Sequence, residues 1–186
     1  FTKATRRPEE FVPTRVPPMT EKPIVVLDEN GELKEEVKTC IKMIADADII
    51  LATGHCDYDE TYAITKYAIE VGVTKIVFTH LPMFTTMDKE ALKKITDLGG
   101  IVEFTYMNQL EATPEAYRMT GAEMAEYIRF FGPDKCLCST DFGISLVPTP
   151  VEGMRMVIRW LIEQGFTDDE ITTMIRKNPA KLLGIQ

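Results

Sequence analysis

Residues 75–80 of this 186-residue chain read Lys-Ile-Val-Phe-Thr-His, and this stretch decides how the rest is interpreted. Its centre is apolar at successive positions, whereas a strand with one face in water alternates apolar and polar residues. A strand that is apolar throughout is typical of a parallel sheet, which is covered on both faces. The stretch therefore predicts a buried parallel strand with His80 just beyond its carboxyl end.

Three more apolar runs stand at regular intervals around this strand. They are residues 48–53 (DIILAT), 101–105 (IVEFT) and 135–139 (KCLCS), so the strands begin about 26 to 34 residues apart. Helical periodicity fills the intervals and the end of the chain, at residues 58–71, 88–98, 116–131, 151–164 and 168–175. This alternation predicts a parallel α/β fold. Two architectures fit it: an open doubly wound sheet, or part of a (β/α)8 TIM barrel.

The first 47 residues do not follow this rhythm. Five prolines between residues 1 and 23 predict an irregular segment, and the Asn30-Gly31 pair predicts a small hairpin before a helix that begins near residue 34. We predict a single domain over 1–186, with 1–47 as irregular segment, hairpin and helix, and 48–186 as the four βα units. Because the chain begins at Phe1 and its first methionine is Met19, we expect it to be part of something longer.

Composition narrows the class of protein. Hydrophobic residues make up 45% and charged residues 27%, as in globular domains, and no apolar run approaches the roughly 20 residues of a membrane-spanning helix. A net charge of −8 argues against nucleic acid as a partner. Four cysteines are too few for a disulfide scaffold, and Cys136 and Cys138 lie in an apolar run, so we expect these two to be buried, reduced thiols and the location to be cytoplasmic.

The candidate functional residues directly follow the predicted strands. The only two histidines, His55 and His80, follow the first and second strands in the same phase of the repeat, and Asp141 follows the fourth. Neighbouring parallel strands lie about 4.8 Å apart, so side chains at equivalent levels can share one ion. Neutral imidazole and carboxylate suit zinc or a similar divalent metal. One such histidine would indicate packing, but two with an aspartate in register favour a metal site.

The sequence gives weaker support for a role of other polar residues at this edge of the sheet. Glu103 lies inside the third strand and is either a carboxylate paired with a lysine or arginine or a member of the site. Thr53 and Thr79 end the first two strands and are candidates for a supporting or pocket role. Neither a phosphate-binding glycine loop nor a G-x-S-x-G elbow occurs in the sequence.

Together these motifs resemble a known family. Thr53-Gly54-His55, Thr79-His80-Leu81-Pro82, Ser139-Thr140-Asp141-Phe142-Gly143 and the terminal segment 178–184 (NPAKLLG) are similar to the C-terminal half of the amidohydrolase superfamily, closest to its phosphotriesterase-like uncharacterised branch. The resemblance implies a metal-bearing (β/α)8 barrel of which this chain covers about the last four βα units. It further implies that His55 and His80 bind metal after the fifth and sixth strands, and that Asp141 binds metal and shuttles protons after the eighth. The family's His-x-His pair after the first strand and its bridging ligand after the fourth have no counterpart here.

The resulting prediction is a metal-dependent hydrolase that uses a metal-activated water on an ester, amide, lactone or phosphoester of a small molecule. Zinc is the first candidate for the metal, with manganese, iron and nickel as alternatives, and Asp141 is the catalytic residue. A histidinol-phosphatase-like barrel is a rival within enzymes. Outside them, the chain could be a non-catalytic α/β binding or assembly module with an incomplete metal site, associating as a homo-oligomer or with a complementary N-terminal segment. Substrate identity is not encoded in the loops at 82–87 and 106–115, which contain no arginine.

Overall fold

The computed structural model describes residues 24–80, 89–113 and 115–185. The predicted irregular segment and the loop at 82–87 lie outside these residues. Four strands form one sheet: β1 (Leu51–Ala52), β2 (Ile76–Phe78), β3 (Ile101–Thr105) and β4 (Cys136–Ser139). The α-helices of the described part are α1 (Glu35–Asp46), α2 (Tyr58–Glu70), α3 (Lys89–Leu98), α4 (Gly121–Phe131), α5 (Pro150–Glu163), α6 (Asp168–Thr172) and α7 (Asn178–Leu183).

The sheet is parallel and its strands lie in chain order, β1-β2-β3-β4. Leu51 pairs with Ile76, Phe78 with Val102, and Val102 with Cys136. This arrangement confirms the parallel α/β prediction made from the apolar runs. Because all four strands point the same way, the residues that follow them meet at one edge of the sheet.

The two faces of the sheet are packed unequally. Strand residues of one face join the helices in a single large core, with Phe78, Leu92, Ile128, Val157 and Leu161 at 0% exposure. The other face carries a small cluster, Val77, Ile101, Leu137 and Leu182, in which α7 packs across the sheet through Leu182. Ala52, which is exposed, lies on β1 beside it. The helices therefore bury one face thoroughly and the other only in part.

The predicted hairpin near the N-terminus forms a short ribbon, and local hydrogen bonds attach this ribbon to α2. Leu27 and Leu33 form an antiparallel bridge around the predicted turn, in which Gly31 has φ +81°. The buried Glu60 carboxylate accepts hydrogen bonds from the backbone N–H of Val26 at 3.3 Å and of Asp57 at 3.1 Å. Asp57 in turn caps α2 by accepting from Glu60 N at 2.9 Å, so the capping box also ties the ribbon to the helix.

Three element boundaries differ from the sequence predictions by more than one residue. The first strand is shorter, because Asp48 takes φ +50° and its carbonyl and carboxylate both accept from Lys75 Nζ. The helix expected from residue 116 begins as α4 at Gly121, where Thr120 and Glu123 form a capping box that the sequence analysis overlooked. The last predicted helix runs further, because a π-helical turn at Thr173–Lys177 joins α6 to α7.

No helix among the described residues has both the length and the apolar character needed to cross a bilayer. The four cysteines are unpaired thiols, with Cys40 exposed and Cys56, Cys136 and Cys138 buried. Burial raises the pKa of the Cys136 and Cys138 thiols well above the usual value. They are therefore packing groups of β4, as the sequence predicted.

Candidate functional site

Two threonines join the ends of β1 and β2. The backbone N–H of Thr79 donates to Thr53 Oγ1 at 3.3 Å, and the backbone N–H of Gly54 donates to Thr79 Oγ1 at 3.2 Å. Each hydroxyl thus accepts from the neighbouring strand's end, and Gly54 allows the chain to turn with φ +63°. This reciprocal pair of hydrogen bonds holds His55 and His80, which come after the two threonines, at one level along the strand direction.

The structure brings the two histidines together. His55 Nε2 and His80 Nε2 lie 3.0 Å apart, and the ring centroids are separated by 4.7 Å. His80 is only 6% exposed and takes φ +31°, a left-handed conformation that is uncommon for residues other than glycine. Such strain is found at functional sites, where the surroundings hold a residue in a costly conformation.

Both imidazoles are held in the neutral form. Burial, together with the nearby His55, lowers the pKa of His80 to about 3. Burial also lowers the pKa of His55, although the negative charge of Asp141 acts in the opposite direction. Neutral imidazole is the form that binds metals, so the pair is prepared to act as two ligands.

Asp141 follows β4 and lies close enough to His55 for each charge to affect the other. Burial raises the pKa of the Asp141 carboxyl, and His55 partly opposes that shift. Its backbone takes φ +56°, and Thr140 Oγ1 accepts from the N–H of Phe142 at 3.1 Å across the turn. Asp141 therefore shares the histidines' edge of the sheet on a tight turn that the adjacent threonine stabilises.

Glu103 points toward the same region from β3. Ser139 Oγ donates to Glu103 Oε1 at 2.9 Å, so among the residues that the structure describes its partner is a hydroxyl and not the lysine or arginine considered from the sequence. Burial raises the pKa of the Glu103 carboxyl, and the negative charge of Asp141 adds to the effect. The sequence analysis gave Ser139 no role of its own, although its place at the end of β4, two residues before Asp141, was a usable signal.

These positions partly fit a metal ion. Two imidazole nitrogens bound to one tetrahedral zinc would lie about 3.3 Å apart, close to the observed separation of the Nε2 atoms. Within residues 24–80, 89–113 and 115–185, however, no group of three or more His, Cys, Asp or Glu side chains is arranged to hold a metal. The structure thus places the two imidazoles side by side, with Asp141 and Glu103 nearby.

A glycine on α5 sets the position of the Asp141 turn. A Cβ on Gly153 would lie 2.5 Å from Phe142 Cδ2 and 2.8 Å from Thr140 Cγ2. We expect Gly153→Ala to destabilise the protein by about 1–3 kcal/mol, because the turn must move away from the helix. Urea denaturation measures this loss, with Gly143→Ala as the control, since a Cβ at Gly143 has nothing within 4 Å. Equal stability of the two variants would contradict this account of the turn.

Comparison with known proteins places the chain in a family. Residues 2–103, more than half of the sequence, match the model of a family of unknown function, DUF6282. The chain belongs to this family. A search of curated proteins finds no match.

Solved structures resemble this DUF6282 protein in fold. An amidohydrolase from Burkholderia multivorans with bound zinc matches with a TM-score of 0.59 at 12% identity, over 82% of this chain and 58% of its own. The organophosphorus hydrolase from Deinococcus radiodurans matches with a TM-score of 0.58 at 14% identity, over 78% and 49%. N-acetyl-D-glucosamine-6-phosphate deacetylase from Mycobacterium smegmatis matches with a TM-score of 0.53 at 24% identity, over 82% and 43%.

These similarities decide between the two architectures left open by the sequence. The four βα units have the fold of part of a (β/α)8 barrel, with the strands in chain order, and not that of an open doubly wound sheet. The chain spans about half the length of the structures that it matches. In a barrel the functional residues lie at the carboxyl ends of the strands, which is where His55, His80 and Asp141 stand.

Proposed function

We propose that this protein contributes the second half of a metal-dependent hydrolase of the amidohydrolase type, acting on an ester, amide, lactone or phosphoester of a small molecule. The observation that carries the proposal is the His55–His80 pair, whose Nε2 atoms lie 3.0 Å apart at the carboxyl ends of adjacent parallel strands. The barrel fold, shared with zinc-containing and hydrolytic structures, supports it.

Each residue has a distinct role in this proposal. His55 and His80 hold a divalent ion, with zinc as first choice and manganese, iron or nickel as alternatives. When bound, such an ion polarises the scissile group and lowers the pKa of water toward about 7. Asp141 completes the ligand set, orients the attacking water, accepts its proton and returns that proton to the leaving group. Thr53 and Thr79 hold the two histidine-bearing turns level, and Glu103 with Ser139 forms the adjoining polar wall.

Metal content tests the ligand pair directly. We expect the purified chain to take up one equivalent of zinc or another divalent metal, and His55→Ala and His80→Ala each to abolish stoichiometric uptake, because each removes half of the imidazole pair. Elemental analysis after dialysis gives the measurement. Cys40→Ser is the control, since it removes the exposed thiol, the group best placed for adventitious zinc. Metal uptake that survives both histidine substitutions would exclude this site.

One observation favours a second candidate function. Because the described residues contain no three-ligand group, the chain could be a non-catalytic binding or assembly module that has kept the barrel fold. On that account the imidazoles hydrogen-bond to each other and serve only to join β1 to β2. Absence of bound metal, together with a loss of stability in His80→Ala, would favour this module over the hydrolase.

The edges of the sheet support a proposed partner. Within the described residues, β1 pairs only with β2 and β4 only with β3, so both outer edges are open to further strands. Two apolar side chains are exposed beside the outer strands: Ile49, which precedes β1, and Leu183, which lies on α7. We infer that a complementary set of strands completes the barrel, from a further segment or from a second copy of this chain.

Light scattering tests the second-copy arrangement. If two copies complete each other, the 21.1 kDa chain forms a dimer that dissociates when Ile49 and Leu183 are both replaced by charged residues, because those residues would become buried at the joins. Ile69→Lys, a similarly apolar exposed position on α2, is the control. A stable monomer would exclude the second copy and leave a complementary segment as the partner.

A further inference from the structure

The segment that follows β3 lies against the turn that carries Asp141. It begins with the 3-10 turn Tyr106–Gln109, in which the backbone N–H of Met107 donates to the carbonyl oxygen of Thr140 at 3.1 Å. The peptide group that links Thr140 to Asp141 is planar, so the direction of this carbonyl sets the direction in which the chain enters Asp141. A hydrogen bond from the neighbouring segment therefore holds the peptide that precedes the proposed catalytic carboxylate.

The side chain of Asn108, the residue after Met107, is at the centre of this segment. Asn108 is only 4% exposed, and its Oδ1 accepts a hydrogen bond from the hydroxyl of Thr105, the last residue of β3. Its Nδ2 donates to the carbonyl oxygen of Tyr117 at 3.4 Å, and its own carbonyl oxygen accepts from the N–H of Met119 at 3.0 Å. Asn108 thus joins the end of β3 to the stretch of chain that leads into α4.

The carbonyl of Met107 is held as well. Thr113, which is 6% exposed, donates its hydroxyl to Met107 O at 2.5 Å, and the N–H of Leu110 donates to the same oxygen at 3.0 Å. The peptide groups on both sides of Met107 are therefore fixed, and its N–H remains directed at Thr140. A change at Asn108 acts on Met107 through the bond that joins the two residues.

The Asp141 turn needs such support. Asp141 takes φ +56°, a left-handed conformation that persists in a residue other than glycine only where the surroundings hold it. Buried polar networks rigidify a structure and specify one geometry, which is a different contribution from net stability. The network around Asn108 ends at Thr140, directly before this strained residue.

We propose that Asn108 is a positioning residue for Asp141. Its side-chain hydrogen bonds hold Met107 so that the bond from Met107 N–H to Thr140 keeps the turn in its left-handed conformation. In this role Asn108 acts through Met107 and Thr140 and needs no contact with metal or substrate. The catalytic consequence rests on the role proposed above for Asp141, whereas the structural link between Asn108 and the turn does not.

Hydrogen exchange tests the structural link without metal or substrate. The probe is the backbone amide of Phe142, which donates to Thr140 Oγ1 at 3.1 Å inside the Asp141 turn. Asn108→Leu keeps the approximate size of the side chain and removes its two side-chain hydrogen bonds. We expect it to speed exchange of the Phe142 amide at least about tenfold relative to amides of β2 and β3 that exchange by global unfolding. This reference cancels a general loss of stability.

Asn178→Leu is the matched control. Asn178 is likewise buried, at 7% exposure, and its Nδ2 donates to the carbonyl oxygens of Pro133 at 3.0 Å and Cys136 at 2.6 Å. These bonds lie at the start of β4, the end opposite to Asp141. The control should leave the relative exchange of Phe142 unchanged. The proposal is overturned if the Phe142 amide keeps its protection in Asn108→Leu or loses it equally in both variants.

A double-mutant cycle in the completed enzyme tests the catalytic consequence. We expect Asn108→Leu to lower kcat about 10–100-fold with KM changed less than about threefold, because a displacement of about 1 Å costs a reacting group a factor of that order. In the Asp141→Asn background the same change should cost less than about twofold, since no carboxylate remains to be positioned. Equal losses in the two backgrounds, or an unchanged kcat in Asn108→Leu, would contradict the positioning role. Full activity of Asp141→Asn alone would instead exclude the proposed mechanism, and the exchange rates would still decide the structural link.

Discussion

Replacing Asp141 with asparagine is expected to slow hydrolysis by the completed enzyme by about 10²–10⁴-fold, the usual contribution of a positioned acid–base group. The amide cannot accept a proton from water and return it to a leaving group. Asparagine tolerates the left-handed conformation at φ +56° as aspartate does, so the turn after β4 should keep its shape. The loss is therefore expected in the catalytic step and not in folding.

The measurement is kcat with chromogenic esters, lactones and phosphotriesters, alongside thermal unfolding and metal content. Asp46→Asn at the end of α1 is the control, because it changes the charge equally at an exposed position away from the site. Full activity in Asp141→Asn, with unchanged metal content, would remove Asp141 from the mechanism. A fall in metal content instead would assign it to the ligand set alone.

Phe78→Ala is expected to lower the free energy of unfolding by about 3–5 kcal/mol. The ring is 0% exposed on β2, in the core between the sheet and the helices. A Cβ on Gly100 would lie only 2.8 Å from Phe78 Cε2, which shows how closely the residue preceding β3 approaches the ring. Removing the ring leaves a cavity beside the strand that carries His80, so metal uptake is expected to weaken as well.

Urea denaturation measures the loss of stability as a shift of the transition midpoint, provided that the slope of the unfolding free energy against urea concentration is unchanged. The control is Phe130→Ala on α4, where the ring is only half-buried and packs edge-to-face on Phe131 at 5.4 Å. We expect the control to cost less than half as much, because less apolar surface returns to water. Equal losses would show that the core does not depend on β2 as described.

Much of the fold follows from local pattern. Apolar runs such as 75–79 predict buried parallel strands because both faces of such a strand must be covered, and capping residues such as Asp57 predict helix starts because their side chains satisfy free N–H groups. The errors lie at boundaries. Asp48 leaves the strand for an interaction with Lys75, a contact between residues 27 positions apart that no local window contains.

The sequence by itself determined the parallel α/β repeat and the residues at the strand ends. It placed His55, His80 and Asp141 at one edge because every parallel strand ends on the same side of its sheet. Only the tertiary structure decided how close they come. The threonine pair and the left-handed turns bring the two Nε2 atoms to 3.0 Å, while the described residues hold no three-ligand group. Such distances arise from side chains far apart in the chain, so no spacing along the sequence encodes them.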